Sequence, residues 1–340
     1  MAETDESLSF KSSNLEVFIT KSPVRLHYVV GEDTLLAESS GFEPSIAGGK
    51  MSFFSESSEK FYGGGSRAIP INRRGEKLKI YNEAHYGYGN NTPTLNISIP
   101  FVISSSGYGL FFDNRYPGYL DLDSENNQQT IYSAEGGRLR YYFIFGNEPD
   151  DILNSYTHLT GKQKLPPLWA LGYIQSKFGY QTETEARNIV NKIRQNDFPL
   201  DALILDLYWF GSTNDMGNLD WNYAQWPQPQ QMMSDFAEQG VKTILITEPY
   251  FTLNSNNYNG LASNNYLAQN AEGEPYVLWG FWAGDAALID ITQPDAQEWM
   301  WNFYQDRRDE GVSGWWSDLG EPETHPSDMQ HALGSAKSVH

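Results

Sequence analysis

From residue 8 to about 160, apolar and polar positions alternate in short runs that Gly, Asn and Ser clusters interrupt. Leu15-Glu16-Val17-Phe18-Ile19, Val24-Arg25-Leu26-His27-Tyr28-Val29-Val30 and Tyr108-Gly109-Leu110-Phe111-Phe112 read as strands, as do residues 97–103 and 139–145. No helix is predicted before Pro149, and many short strands with regular turns predict an antiparallel β-sandwich. At Lys164-Leu165-Pro166-Pro167 the pattern changes to strand and helix in alternation.

In that second half, residues 171–175 predict a first strand. Thr182 then caps a helix, with Glu185 in capping-box position, and Ala186, Ile189, Val190 and Ile193 repeat at helical spacing. Residues 202–209 are nearly all apolar, as suits a strand covered on both faces. A helix through Met232, Met233 and Phe236 stops at Gly240, and residues 241–249 form a third strand. After an aromatic insertion, Thr292 opens a helix with Ala296, Trp299, Met300 and Phe303 on its buried face, and residues 312–317 form the fourth strand.

Four strand–helix units in series imply a parallel sheet, either doubly wound or part of a (β/α)8 barrel. No glycine-rich phosphate turn follows the first strand, and carboxylates fall at successive strand ends: Asp206, Glu248 and Asp318. Both points favour the barrel. The expected organisation is an N-terminal β-sandwich domain over 1–155, then the first half of a catalytic (β/α)8 TIM barrel over 156–340 with an insertion around 250–290. Four strands cannot close a barrel of eight, so the sequence reads as truncated.

Charge and composition narrow the chemistry. A net charge of −20 opposes nucleic acid and an anionic membrane surface. No run of about 18 apolar residues is present, and residues 1–9 lack the features of a signal peptide, so the chain reads as soluble with its compartment open. The absence of cysteine rules out disulfides and thiolate chemistry. Carboxylates at barrel strand ends either bind a divalent metal or act on glycosidic bonds. Aromatic residues make up 14 % of the chain, and Trp209, Trp279, Trp282, Trp315 and Trp316 fall on or near the expected rim. Rings stack on sugar faces, and no His pair of metal-ligand spacing accompanies the carboxylates. Sugar chemistry is therefore preferred, with no metal and no cofactor. A metal-dependent barrel lyase and a non-catalytic glucan-binding module are the alternatives from other classes.

Gly314-Trp315-Trp316-Ser317-Asp318-Leu319-Gly320-Glu321 resembles the nucleophile region of glycoside hydrolase family 31, the retaining α-glucosidases. Residues 200–209 look like that family's second barrel strand, and Phe61-Tyr62-Gly63-Gly64-Gly65-Ser66-Arg67 is similar to its Tyr-Gly-x-Gly-x-Arg turn. Asp318-Leu319-Gly320-Glu321-Pro322-Glu323 with His325-Pro326, and Met216-Gly217-Asn218-Leu219-Asp220-Trp221, look closest to a bacterial branch containing α-1,4-glucosyltransferases. The resemblance implies that Asp318 is the nucleophile forming a covalent glucosyl intermediate, and that Asp206 bonds hydroxyls of the sugar in subsite −1 beside Leu207. It further implies that Phe251, Trp282 and Trp316 line that subsite. Glu248 stands where the family often has Asp. No counterpart of the family's sugar-contacting Asp is assigned in residues 81–88. Ser338-Val339-His340 resembles the start of a His-Asn-x-Tyr motif, and the acid/base lies beyond residue 340. Glu321 and Glu323 follow Asp318 too closely to replace it and are expected to brace the loop. The implied substrate is an α-glucan or maltooligosaccharide, with transfer preferred to hydrolysis. Trp209, Tyr250 and the ring-rich residues 276–282 are candidates for holding an acceptor.

Overall fold

The structure, a computed structural model, describes residues 1–12, 14–45 and 48–339. The chain divides into two compact units, Met1–Gln163 and Lys164–Val339.

The first unit is built from three antiparallel sheets. Two of them share one core. Phe61–Gly65, Ser98–Ser104, Tyr108–Phe112 and Tyr141–Phe145 make one sheet, and Gly49–Phe54, Gln129–Ala134, Gly118–Leu122 and Lys77–Ile80 dominate the other. Alternation along each strand sends Leu120, Leu122 and Tyr132 to the same core as Phe61, Val102, Leu110 and Phe112. Tyr119 and Asp121, on either side of Leu120 in sequence, stay accessible. The third sheet is a meander at the N-terminus that adds Tyr28 and Leu36 to the same core. Helix Pro149–Thr160 packs Ile152 with Phe101 and Ile144, and Tyr156 stacks on Phe101 with ring centroids 3.9 Å apart. The Gly-rich turn after Phe61 is a backbone device. Gly63, Gly64 and Gly65 all have positive φ, and the Arg67 guanidinium donates to the carbonyls of Gly64, Lys79 and Pro93 and to Ser98 Oγ.

The second unit carries a parallel sheet of Ile174–Gln175, Ala202–Leu205, Lys242–Thr247 and Gly314–Ser317, in that order. Spatial order follows sequence order without reversal. A doubly wound sheet would reverse at a switch point, so this is half the strand complement of a (β/α)8 barrel. Helices Glu183–Gln195, Pro229–Glu238 and Pro294–Asp309 alternate with the strands. Thr182 Oγ1 accepts from the Glu185 N–H at 3.1 Å. The Glu185 carboxylate does not complete the expected box; it accepts from the Gln181 N–H at 2.9 Å and pairs with Lys177. Helix Pro294–Asp309 starts after Gln293 rather than at Thr292, whose hydroxyl instead donates to Asp290 at 2.6 Å.

The strands end sooner than the apolar runs do. Ala202–Leu205 stops where Asp206 Oδ1 accepts the Leu207 N–H at 2.7 Å and starts a 3-10 turn over Leu207–Trp209. The insertion folds as a small antiparallel sheet of Tyr250–Thr252, Ala286–Leu288 and Val277–Leu278 with helix Tyr258–Ser263. No helix among the described residues is long and apolar enough to cross a membrane.

Candidate active site

Sheet register brings the three carboxylates to one face. Ile246 pairs with Trp316 and Thr247 with Ser317, so one further residue sets Glu248 beside Asp318. The Asp318 N–H fixes this by donating to the Thr247 carbonyl at 2.9 Å. Leu205 pairs with Leu245, which makes Asp206 level with Ile246, two positions before Glu248. Since side chains alternate across a strand, Asp206, Glu248, Trp316 and Asp318 share one face. The opposite face takes Trp315, whose ring lies 4.5 Å from that of Tyr304 on helix Pro294–Asp309.

Burial and mutual repulsion dominate the electrostatics. Glu248 is 3 % exposed and its Oε2 has no hydrogen-bond partner. Burial, reinforced by the charges of Asp206 and Asp318, pushes its carboxyl up to about 8. Burial also raises Asp206; the Leu207 N–H opposes that shift and Asp318 adds to it. Asp318 is raised by burial, against the Leu319 N–H and with help from Glu321 and Glu323.

Glu248 and Asp318 line one cavity of about 380 Å³, with Pro322, His325 and His331 among its other walls. A more open cleft of about 460 Å³ is lined by Tyr276, Trp279, Phe281, Trp282, Glu323 and Pro326. The loop over residues 320–326 divides the two spaces: Gly320, Pro322 and His325 face the cavity, while Glu323, Thr324 and Pro326 face the cleft. Trp282 is half exposed and its Nε1–H donates to Glu323 Oε2 at 3.1 Å, so Glu323 braces a ring across the cleft.

Several residues expected at the site lie elsewhere. Phe251 has no accessible surface; it packs among Leu219, Leu261 and Ala296, edge-on to Trp299. Leu207 is buried in the main core. Trp209 is also fully buried, with its Nε1–H donating to the Ile246 carbonyl at 3.0 Å, so it is core rather than rim. Tyr250 is buried as well, its hydroxyl donating to the Thr324 carbonyl and accepting from the Thr324 N–H. Those two bonds leave Tyr250 to anchor the dividing loop instead of facing an acceptor. The motif at 216–221 is likewise packing: Gly217 has φ +91°, Asp220 pairs with Arg307, and Trp221 donates to Glu310. His340 lies outside the described residues. Among the described residues no cluster of three or more His, Asp or Glu side chains is arranged to hold a metal ion.

Sequence reasoning missed Asp290 and His331, and it read His325 only as part of a motif. His331 Nδ1 lies 3.1 Å from Asp290 Oδ1, and the Nε2 atoms of His325 and His331 are 2.8 Å apart. Forty-one residues separate Asp290 from His331, so no local spacing signals the pair.

Comparison with known proteins agrees with this geometry. Residues 163–339 match the model of the glycosyl hydrolases family 31 TIM-barrel domain, and residues 1–121 match the glycosyl hydrolase 31 N-terminal galactose mutarotase-like domain. Alpha-glucosidase 2 of Bacillus thermoamyloliquefaciens is 31 % identical over 329 residues, 94 % of this chain and 41 % of that protein. Alpha-xylosidase XylQ of Lactiplantibacillus pentosus is 31 % identical over 77 % of this chain and 34 % of its own length. A Flavobacterium johnsoniae GH31 dextranase, solved in complex with isomaltotriose, superposes with a TM-score of 0.95 at 29 % identity over 100 % of this chain and 43 % of that one. The chain thus spans about a third to two fifths of the length of these relatives.

Proposed function

This chain belongs to glycosyl hydrolase family 31, and from that premise we propose that it supplies the nucleophile half of a retaining α-glucosyl transfer site. The observation that carries the reading is the pairing of Glu248 and Asp318 in one cavity at the C-terminal ends of adjacent parallel strands, the end where barrel enzymes work.

Asp318 Oδ attacks the anomeric carbon of an α-glucoside. A bond forms between that oxygen and C1 while the bond from C1 to the leaving oxygen breaks, giving a β-glucosyl ester. An incoming hydroxyl then attacks C1 from the other side, its proton passing to the same second carboxyl group that had protonated the leaving oxygen, and Asp318 leaves as carboxylate, so configuration is retained. Asp206 accepts from sugar hydroxyls. Glu248, largely uncharged at pH 7 with its carboxyl near 8, serves as a donor to a hydroxyl. Trp316 shares the face that the sugar occupies. Retention needs a second carboxyl group roughly 5 Å from the nucleophile to protonate the leaving oxygen. Glu323 is engaged with Trp282, and we place the acid outside residues 1–340.

Transfer is preferred to hydrolysis because Tyr276, Trp279 and Trp282 line a cleft beyond the dividing loop, suited to holding an acceptor against competition from water. The substrate class is α-linked glucooligosaccharide, and α-1,4 linkages are the first to test. The dextranase bound to isomaltotriose supports testing α-1,6 linkages beside them. Hydrolysis is the second reading, favoured by the likeness to an alpha-glucosidase.

Fluoride departs without protonation, so α-glucosyl fluoride tests the chain without the missing acid. With maltose as acceptor, slow formation of maltotriose ahead of free glucose is the expected outcome, because the second carboxyl group that would take the acceptor's proton is also outside the chain. Free glucose from the start without longer products would mean hydrolysis. Maltotriose supplied alone is expected to stay intact, and its rapid turnover by the 340-residue chain would overturn the placement of the acid.

A further inference from the structure

The first unit carries a groove of about 230 Å³ on the outer face of the sheet of Gly49–Phe54, Gln129–Ala134, Gly118–Leu122 and Lys77–Ile80. Strand alternation builds its floor. Leu120 and Tyr132 turn into the core, so Tyr119, Asp121, Gln129 and Ser133 turn outward and line the groove. The polar turn over residues 123–128 closes one side. Three of its non-glycine residues, Asp123, Asn126 and Gln128, have φ of +65°, +52° and +60°, a conformation that persists only where the surroundings enforce it. Asp123 is buried and does so. Its Oδ1 accepts from the N–H groups of Gln128 and Gln129 at 2.7 and 3.3 Å, and its Oδ2 pairs with Arg74. Asn127 and Gln129 therefore project from a backbone that is already fixed.

The lining is balanced in charge and rich in unused neutral groups. Lys50 and Lys77 offset Asp121 and Glu125, in a chain whose net charge is −20. Most of that charge is engaged locally. Lys50 pairs with Glu43 at 3.1 Å, Lys77 lies over the Tyr119 ring 5.3 Å from its centroid, and Asp121 accepts from the Ser124 N–H and hydroxyl at 2.9 Å each. The side chains of Tyr119, Asn127, Gln129 and Ser133, by contrast, make no hydrogen bond to the protein among the described residues. Phenol, amide and hydroxyl groups without net charge around them complement a neutral, hydroxyl-rich ligand. Two exposed rings mark the length of the site. Phe54 is the register partner of Gln129 and Tyr119 that of Ser133, so both stand on this face. Strand spacing and rise put the two residues roughly 17 Å apart, farther than one sugar ring reaches.

We propose that this groove is a separate binding site for a neutral oligosaccharide, laid diagonally across the sheet from Phe54 to Tyr119. Phe54 stacks on an apolar sugar face, the Asn127 and Gln129 amides bond sugar hydroxyls, and Tyr119 contributes its hydroxyl at the far end. The choice of an α-linked glucose chain as the ligand rests on the glucosyl reading of the barrel site; the chemistry of the groove does not.

The test titrates the 340-residue chain with maltotriose and, separately, with glucose. Nitrogen-15 NMR reads the side-chain amides of Asn127 and Gln129, which N127A and Q129A identify by loss of their signals. Maltotriose is expected to move both amides with a Kd on the order of 1 mM. Glucose, which meets only one end, should bind about fivefold more weakly. Phe54→Ala, at an exposed position that leaves folding intact, should raise the maltotriose Kd about fivefold, and so should Gln129→Ala, read through Asn127. The amide shifts should persist in Asp206→Ala, which alters only the barrel site. Amides that stay still in a large excess of maltotriose, or shifts that vanish in Asp206→Ala, would overturn the groove as a site. Glucose binding as tightly as maltotriose, or an unchanged Kd in both Phe54→Ala and Gln129→Ala, would overturn the oligosaccharide lying across it. Groove shifts as expected, with the Trp282 indole signal unmoved by maltotriose, would instead contradict the glucosyl reading of the barrel site and leave the groove standing.

Discussion

Glu248 shows how one side chain can be costly to the fold and useful to the site. Its carboxyl is raised from 4.5 to about 8 by burial and by two neighbouring carboxylates, so the folded state binds a proton that the unfolded state gives up near pH 4.5. Stability from this group is therefore fully present below about pH 4.5 and is lost as pH rises through 8. The expected loss is on the order of 4 kcal/mol. Urea unfolding at pH 5.5 and pH 8.5 should show a marked fall for the wild type and a much flatter response for Glu248→Gln. Equal pH dependence in the two proteins would mean that Glu248 is already ionised in the fold. Much of this site was visible in the sequence, because a carboxylate directly after an apolar run has one place to be, the end of a buried strand. Phe251 was assigned to the subsite by the resemblance alone, and it lies in the insertion's own sheet, packed into a separate core.

Among elements, the insertion and the dividing loop do most to shape the site. Gly217 lets the 216–221 motif pass close to the insertion: a Cβ there would sit 2.5 Å from Phe251 Cδ1, and φ is +91°. Gly217→Ala should cost roughly 2 kcal/mol or more through overpacking and backbone strain, read as a lower midpoint in urea with unchanged slope. A neutral result would show that the insertion yields there. Trp279 differs in kind. It is 76 % exposed, so Trp279→Ala should leave stability within about 0.5 kcal/mol and weaken maltose as acceptor roughly fivefold, as for one lost ring contact. Unaltered product ratios with α-glucosyl fluoride and maltose would remove the cleft from the transfer reading. Element types were legible from periodicity, whereas their ends were not. Asp206 and Thr292 stop or delay elements through side-chain hydrogen bonds that an apolar pattern does not register.

At the scale of the molecule, the sequential order of four parallel strands decides between barrel and doubly wound sheet, a distinction that sequence carried only indirectly through missing phosphate-turn glycines and the placement of carboxylates. The histidine chain beside Asp318 was illegible for a related reason: the fold, not the spacing, unites residues 290, 325 and 331. The central claim is that Asp318 is the atom-bonding residue of a retaining glucosyl site. A fluorinated donor, 5-fluoro-α-glucosyl fluoride, tests it most directly, because its leaving group needs no acid and its fluorine slows release of the ester. Intact-mass and peptide mass spectrometry of the 340-residue chain should find one fluoroglucosyl unit on Asp318, absent from Asp318→Ala. Labelling of Glu248 or Asp206 instead, or no labelling of a folded wild-type chain at saturating donor, would contradict the assignment.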